Sequence, residues 1–291
     1  LKTCRSLRDA GADVTVACSN PSGRPLEEER EGLRIIRFPH RRDSLLKRGY
    51  LWLQGRAAPE IGRALTLAHE ELSPSPLRAS ARNLLMTLNF RSFMRENLRI
   101  NRLMVRALSG GRFDLAHAND MDTLSAACAL KRSGAVRLLL YDSHEFWPGM
   151  GVPGSGANTA IRRLEAAGIA QADYVMTVNP FISEMLRREY NLERAPAVLL
   201  NCPRRDDEEA DPDAVHCPVR VLYQGKVQAF RGTGQLIRAF HQIKGADLTV
   251  SGDGPLLERY RRVAVSEGLS ERVQFTGRFN LEDTLAIVRR H

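Results

Sequence analysis

The sequence has no long apolar run. Its unbroken apolar stretches last only a few residues, as in Leu138 to Tyr141. Nothing approaches the ~20 apolar residues of a membrane-spanning helix. Cysteine is sparse and scattered, at Cys4, Cys18, Cys128, Cys202 and Cys217, an odd count with no C-x-x-C. That argues against a zinc site or a disulfide framework and fits a reducing, cytoplasmic setting. Aromatics make up only 6% of the chain, and they are not interleaved with its basic stripe, so a nucleic-acid stacking platform is not expected. No low-complexity segment or secretory signal is visible. The chain opens on Leu1 rather than Met, and its end, Val288 to His291, falls inside a helical pattern. A fragment missing both ends is therefore expected.

What remains is an ordinary globular composition, 43% apolar and 26% charged over 291 residues. Such a length predicts about two domains. The net charge of +9 suggests contact with phosphate, nucleic acid or an anionic membrane without choosing among them. Along the chain the repeating unit is a helix, a Gly turn and a short β-rich strand. Helix is expected over 1–10, 45–110, 120–132, 158–170 and 180–189, and strand over 13–18, 33–38, 113–117, 136–141 and 174–178. Short, nearly continuous apolar strands between helices predict a parallel sheet covered on both faces. Residues 206–213 then carry Asp206, Asp207, Glu208, Glu209, Asp211 and Asp213 around Pro212, which reads as a solvated linker. Alternation resumes after it: strands at 219–224, 247–251 and 272–276, helices at 233–243, 255–267 and 281–290. The fold class is thus α/β. Two Rossmann-like doubly wound domains are expected to face a cleft, over 1–205 and 217–291, joined by an acidic linker at 206–216. Both are incomplete at the chain ends. Ligands of such sheets bind beyond the carboxyl ends of the strands.

Those ends carry the chemistry. Leu222 to Gly232 places Gly225, Lys226 and Arg231 in a strand-to-helix turn, suited to a diphosphate; a solvated basic loop fits the pattern equally. Gly252-Asp253-Gly254-Pro255 is a tight turn with Pro at the first helical position, and Gly277 closes a third strand. In the first half, Asp142-Ser143-His144-Glu145 ends a strand in polar groups. It is not H-E-x-x-H, so zinc is not expected. Asn119, Asp120, Met121 and Asp122 end the preceding strand, and the formal D-x-D is read as a helix N-cap rather than a metal site. Finally, Arg91, Arg95, Arg99, Arg102 and Arg106 fall in an arc of about 80° on a helix over roughly 82–108. Residues 82–112 hold seven arginines against Glu96 alone. A basic amphipathic helix of this kind fits an anionic membrane surface; a packed helix with one wet face is the alternative.

Taken together, several of these segments resemble the retaining family-4 glycosyltransferases of the GT-B fold, over essentially the whole length. They are Gly225-Lys226 with Arg231-Gly232 and Leu236 to Phe240, Ser251 to Pro255, Val273 to Gly277, Gly11 to Val16, and Asp142 to Glu145. Arg231 stands where that family more often has Lys. The resemblance implies that a first strand with its glycine-rich loop would precede Leu1, and that a Glu-x₇-Glu segment would follow His291. It also implies transfer of a sugar from a nucleoside-diphosphate sugar to a carbohydrate or lipid-linked acceptor, with retention and without a metal or other cofactor. Lys226 and Arg231 would stabilise the leaving diphosphate, with Gly225, Gly252, Gly254 and Gly277 shaping the donor site. His144 would face the donor sugar, and Asn119, Asp120 and Glu145 would lie on the acceptor side. The expected setting is cytoplasmic and peripheral on the inner membrane face, with no nucleic-acid partner. A nucleotide-sugar epimerase or phosphorylase on the same fold, and a non-catalytic binding module, remain open.

Overall fold

A computed structural model describes residues 2–20, 23–39, 76–150, 156–202, 217–228, 231–280 and 283–291. The chain divides into two compact units: the described residues up to 202 belong to the first, and those from 217 onward to the second. The linker expected over 206–216, and residues 45–75 of the helical stretch expected over 45–110, lie outside the described residues.

The first unit opens with α1 (Lys2–Asp9), β1 (Thr15–Asn20), β2 (Glu27–Arg30) and β3 (Leu33–Pro39). It continues through α2 (Pro76–Leu108), β4 (Phe113–Asn119), α3 (Met121–Arg132), β5 (Val136–Ser143), α4 (Trp147–Met150), α5 (Gly156–Ile169), β6 (Tyr174–Thr177), α6 (Pro180–Glu189) and β7 (Ala197–Val198). Two sheets result, ordered β1-β3-β2 and β4-β5-β6-β7. All pairs are parallel except β2 with β3. That hairpin corrects the all-parallel expectation. Its turn, Glu31 and Gly32, has φ of 55° and 67°, the geometry of the two-residue loops that suit twisted strands. Three successive glutamates hid it, because such a run reads as solvated. Arg37, 8% exposed, answers one of them by pairing with Glu28 at 2.6 Å.

The core of this unit lies on β5, whose Leu139 and Tyr141 are fully buried, and takes in Leu124 of α3 and Ile169 of α5. The second unit holds β8 (Val219–Gln224), α7 (Thr233–Ala239), β9 (Ala246–Ser251), α8 (Leu257–Ser266), β10 (Val273–Gly277) and α9 (Thr284–Arg289). Its sheet is parallel and ordered β10-β9-β8. Leu248 and Val250 of β9 are fully buried against Ile237, Phe240 and Tyr260. Helix α7 stops at Ala239, four residues short of the expected end.

The first turn of α3 is braced by Asn101 of α2. Its Nδ2 donates to the Asp122 carbonyl at 2.7 Å, and its Oδ1 accepts from the Ala126 N–H at 3.2 Å. Burial, and then the nearby charge of Asp120, push the Asp122 carboxyl up to about 6. A folded state that holds its proton more tightly than the unfolded chain is favoured at low pH. That advantage is full below the ordinary value of 3.8 and is lost as pH rises through about 6. Asp122→Asn is therefore expected to stabilise the protein at pH 7 by about 1–2 kcal/mol, after allowance for solvent that still reaches the group. It should also flatten the decline in stability across that window. Urea unfolding of both proteins at several pH values measures it, and identical pH profiles would refute the assignment.

Candidate functional site

In the second unit the three strand ends are tied to one another by backbone. The Gly225 N–H donates to the Ser251 carbonyl at 3.0 Å and the Val227 N–H to the Asp253 carbonyl at 3.0 Å. The Gly252 N–H donates to the Gly277 carbonyl at 2.8 Å, and the Leu256 N–H returns to Val227 at 3.2 Å. A Cβ on Gly252 would lie 1.7 Å from the Gly225 oxygen, so the approach requires glycine. The structure thus brings Gly225, Gly252, Gly254 and Gly277 to one end of the sheet. Lys226 is exposed there, its carbonyl accepting from the Tyr223 hydroxyl at 2.7 Å. Arg231 is also exposed, just before α7. Neither side chain has an ion-pair partner among the described residues. Gln224 Nε2, Thr233 Oγ1 and Ser251 Oγ are buried polar atoms of the same strand-end region, without hydrogen-bond partners among the described residues. Native interiors rarely leave such groups unsatisfied, and a polar ligand with phosphate and hydroxyl oxygens suits them.

In the first unit the polar groups gather where β4 and β5 end. Asp142, 5% exposed, receives two rings on one oxygen: His117 Nε2 at 2.9 Å and His144 Nε2 at 3.1 Å from Oδ2. Its Oδ1 is buried without a partner among the described residues. Burial alone would push this carboxyl up. The hydrogen bond from His117, together with the charge and hydrogen bond of His144, outweighs burial and holds it below the usual carboxylate range. Behind the loop, Thr177 Oγ1 donates to the Ser143 carbonyl at 2.6 Å and Ser143 Oγ to the Glu145 carbonyl at 2.9 Å. Deeper still, Glu165 is fully buried and accepts from the Tyr141 and Tyr190 hydroxyls, both at 2.5 Å. Its carboxyl is raised by burial, against the lowering effect of those two bonds.

Asp120 corrects the N-cap expectation. It stands at the N-cap position of α3, but its side chain makes no capping bond. Its Oδ1 instead accepts the His144 N–H at 2.9 Å and the Trp147 indole N–H at 3.2 Å. Its backbone, at φ 63° and ψ 167°, sits in a region that is almost glycine-only and costs about 1–3 kcal/mol elsewhere. With Asp120 engaged and Asp122 half-buried, this D-x-D does not present two free carboxylates. Asn119 and Glu145 are exposed, and the Asn119 carbonyl accepts from Thr123 Oγ1 at 2.9 Å. Sequence reasoning named Asp142 only within its polar strand end and did not find its pairing with His117. Asn119 is the register partner of Asp142, and His117, two residues earlier, shares its face. That diagonal was the available signal.

The arginine stripe also needs correction. Arg99 is half-buried, pairs with Glu96 at 2.7 Å and donates to the Pro39 carbonyl. It therefore ties α2 to β3 instead of facing out. Arg91, Arg95, Arg102 and Arg106 are exposed. Phe93 of α2 stacks on Trp147 with ring centroids 6.4 Å apart. No helix among the described residues is long and apolar enough to cross a membrane.

The comparisons with known proteins bear on both units. No curated protein matches the sequence. Among solved structures, the chain is similar to Anabaena Alr3699/HepE in complex with UDP and glucose, at a TM-score of 0.52 and 14% identity, over 92% of this chain and 70% of that one. It is also similar to the lipopolysaccharide outer core galactosyltransferase WaaB, at 0.49 and 16%, over 68% of this chain and 52% of that one. The chain thus spans about half the length of WaaB. At such identities the likeness to HepE concerns the fold alone, an α/β fold of the GT-B class. The model of the glycosyl transferase 4-like domain matches residues 1–203, well over half the chain, and the protein belongs to that family.

Proposed function

We propose that this protein transfers a sugar from a nucleoside-diphosphate sugar to an acceptor hydroxyl with retention at the anomeric carbon. In this reading residues 1–205 form the acceptor-side domain, 206–216 the linker, and 217–291 part of the donor-binding domain. The observation that carries the reading is the second unit's strand end, where exposed Lys226 and Arg231 stand between β8 and α7, the turns are stitched by backbone, and buried polar atoms lack partners among the described residues. As the sugar leaves, negative charge gathers on the diphosphate. Lys226 and Arg231, held on short loops, stabilise that charge more than the ground state. Gly225, Gly252, Gly254 and Gly277 let the donor approach the backbone. His144 meets the donor sugar, and Asn119, Asp120 and Glu145 border the acceptor side, Asp120 through the loop it holds. An epimerase on the same fold would want further acid/base carboxylates at the donor. Turnover without an acceptor would favour it.

Lys226→Ala and Arg231→Ala are each expected to lower kcat/KM by the equivalent of about 2–4 kcal/mol, the range for a preorganised group at a developing charge. Steady-state kinetics with the true donor checks this, and wild-type values in both variants would remove the two residues from the mechanism. The reading assigns no metal to the diphosphate. Activity is therefore expected to persist in EDTA, and loss on chelation with recovery on adding Mn²⁺ or Mg²⁺ would overturn that part.

The exposed arginines support a second element of the reading, a peripheral contact with anionic lipid that brings a lipid-linked acceptor to the site. Each is worth about 1 kcal/mol near such a surface, and salt weakens the attraction. Changing Arg95, Arg102 and Arg106 together to Gln is expected to abolish sedimentation with anionic liposomes at low salt. Neutral vesicles should bind neither protein. Equal partitioning of both proteins on both vesicle types would leave the stripe a solvated helix face.

A further inference from the structure

The contacts of Asp142 fix more than a position. A carboxylate oxygen offers only lone pairs, so each ring that meets Oδ2 must present Nε2–H to it. In a neutral imidazole the other nitrogen is then an acceptor. His144 is constrained twice over. Its ring is tied to Asp142 at 3.1 Å and its backbone N–H to Asp120 at 2.9 Å. Asp142 is itself held, since His117 occupies the same oxygen at 2.9 Å and the carboxylate is almost wholly buried.

We propose that Asp142 is a positioning residue for His144: it fixes the Nε2–H form of that ring, so that Nδ1 offers its lone pair to a hydroxyl of the sugar substrate. The identity of the hydroxyl rests on the transferase reading; the tautomer does not. A sugar hydroxyl both donates and accepts. Facing a ring nitrogen that only accepts, it must donate, which fixes its orientation. The opposite tautomer would present N–H and turn the hydroxyl round. His144 is then a hydroxyl-binding group, and Asp142 acts only through it. The same logic extends to any variant at position 142. What matters is an acceptor against Nε2 of His144, and a negative charge near the sugar is incidental.

Long-range proton–nitrogen correlation on protein labelled with ¹⁵N-histidine tests this directly. It is run at mildly alkaline pH, where an unperturbed imidazole is neutral. His117→Gln and His144→Gln identify the two ring systems among the seven histidines. In the wild type both rings are expected to carry their proton on Nε2, with Nδ1 unprotonated. Asp142→Ala should move the His144 nitrogens to the averaged shifts of a free ring exchanging between tautomers. Wild-type spectra showing His144 with its proton on Nδ1, or averaged, would overturn the proposal. So would a fixed Nε2–H form that survives in Asp142→Ala. If that variant does not fold, the wild-type spectrum alone still decides. The readout needs no nucleotide sugar, so it stands or falls separately from the transferase reading.

Discussion

A Cβ on Gly254 would lie 2.2 Å from the Val227 carbonyl oxygen, and one on Gly252 would lie 1.7 Å from that of Gly225. Missing side chains thus decide the shape of the second unit's strand ends. They let the turn after β9 lie directly on the loop after β8. The backbone bonds between 225–227 and 251–254 follow from that contact, and Gly252 passes it on to Gly277. Lys226 inherits its place, because Val227 beside it is fully buried and pinned on both backbone atoms. A cation anchored this way has a fixed root and an exposed side chain. Backbone rigidity of this kind is what a preorganised electrostatic site needs.

The first unit reaches a similar rigidity by other means. Its loop after β5 is held by side chains, and the hub is one buried carboxylate carrying two rings. The cost appears as strain at Asp120, whose unusual backbone persists because its carboxylate is fixed from two directions. Behind it the buried carboxylate of Glu165, satisfied by two tyrosines, ties α5 and the end of α6 to β5. A buried carboxylate is costly unless it is hydrogen-bonded on both oxygens. Glu165 meets that condition and Asp142 does not, which sets the two apart. Glu165 is finished as a structural tie, whereas Asp142 keeps a buried oxygen without a partner among the described residues.

Much of this was legible in the residues. Short β-rich runs between helices located the described strands of both units except β2 and the two-residue β7, because a buried parallel strand needs continuous apolar character. The glycine-rich ends of β8, β9 and β10 were likewise visible, since tight turns leave few alternatives to glycine. Long-range pairing was less so. Asp120 looked like a helix cap because the local pattern of an acid before a helix is the same whether or not the side chain turns back to cap. Its true acceptor role depends on His144 and Trp147, more than twenty residues away. His117 and Asp142 became partners only through strand register, which single-residue patterns do not carry. The stripe of five arginines followed from helical periodicity, yet periodicity cannot tell that Pro39 lies within reach of Arg99.

Charge is handled differently in the two units, and that difference follows from burial. Around β5 the buried carboxylate of Asp142 is met by the rings of His117 and His144, since an unpaired charge there would lose its hydration without compensation. At the ends of β8 to β10 Lys226 and Arg231 are exposed, and solvent supports them unpaired. An anion binding at either one exchanges water for a positive charge, and closing water out would strengthen the contact as the local dielectric falls. The first unit's site, by contrast, has its charges already answered and offers neutral donors and acceptors. Taken each by itself, the second unit's strand ends suit an anion and the first unit's suit uncharged hydroxyls.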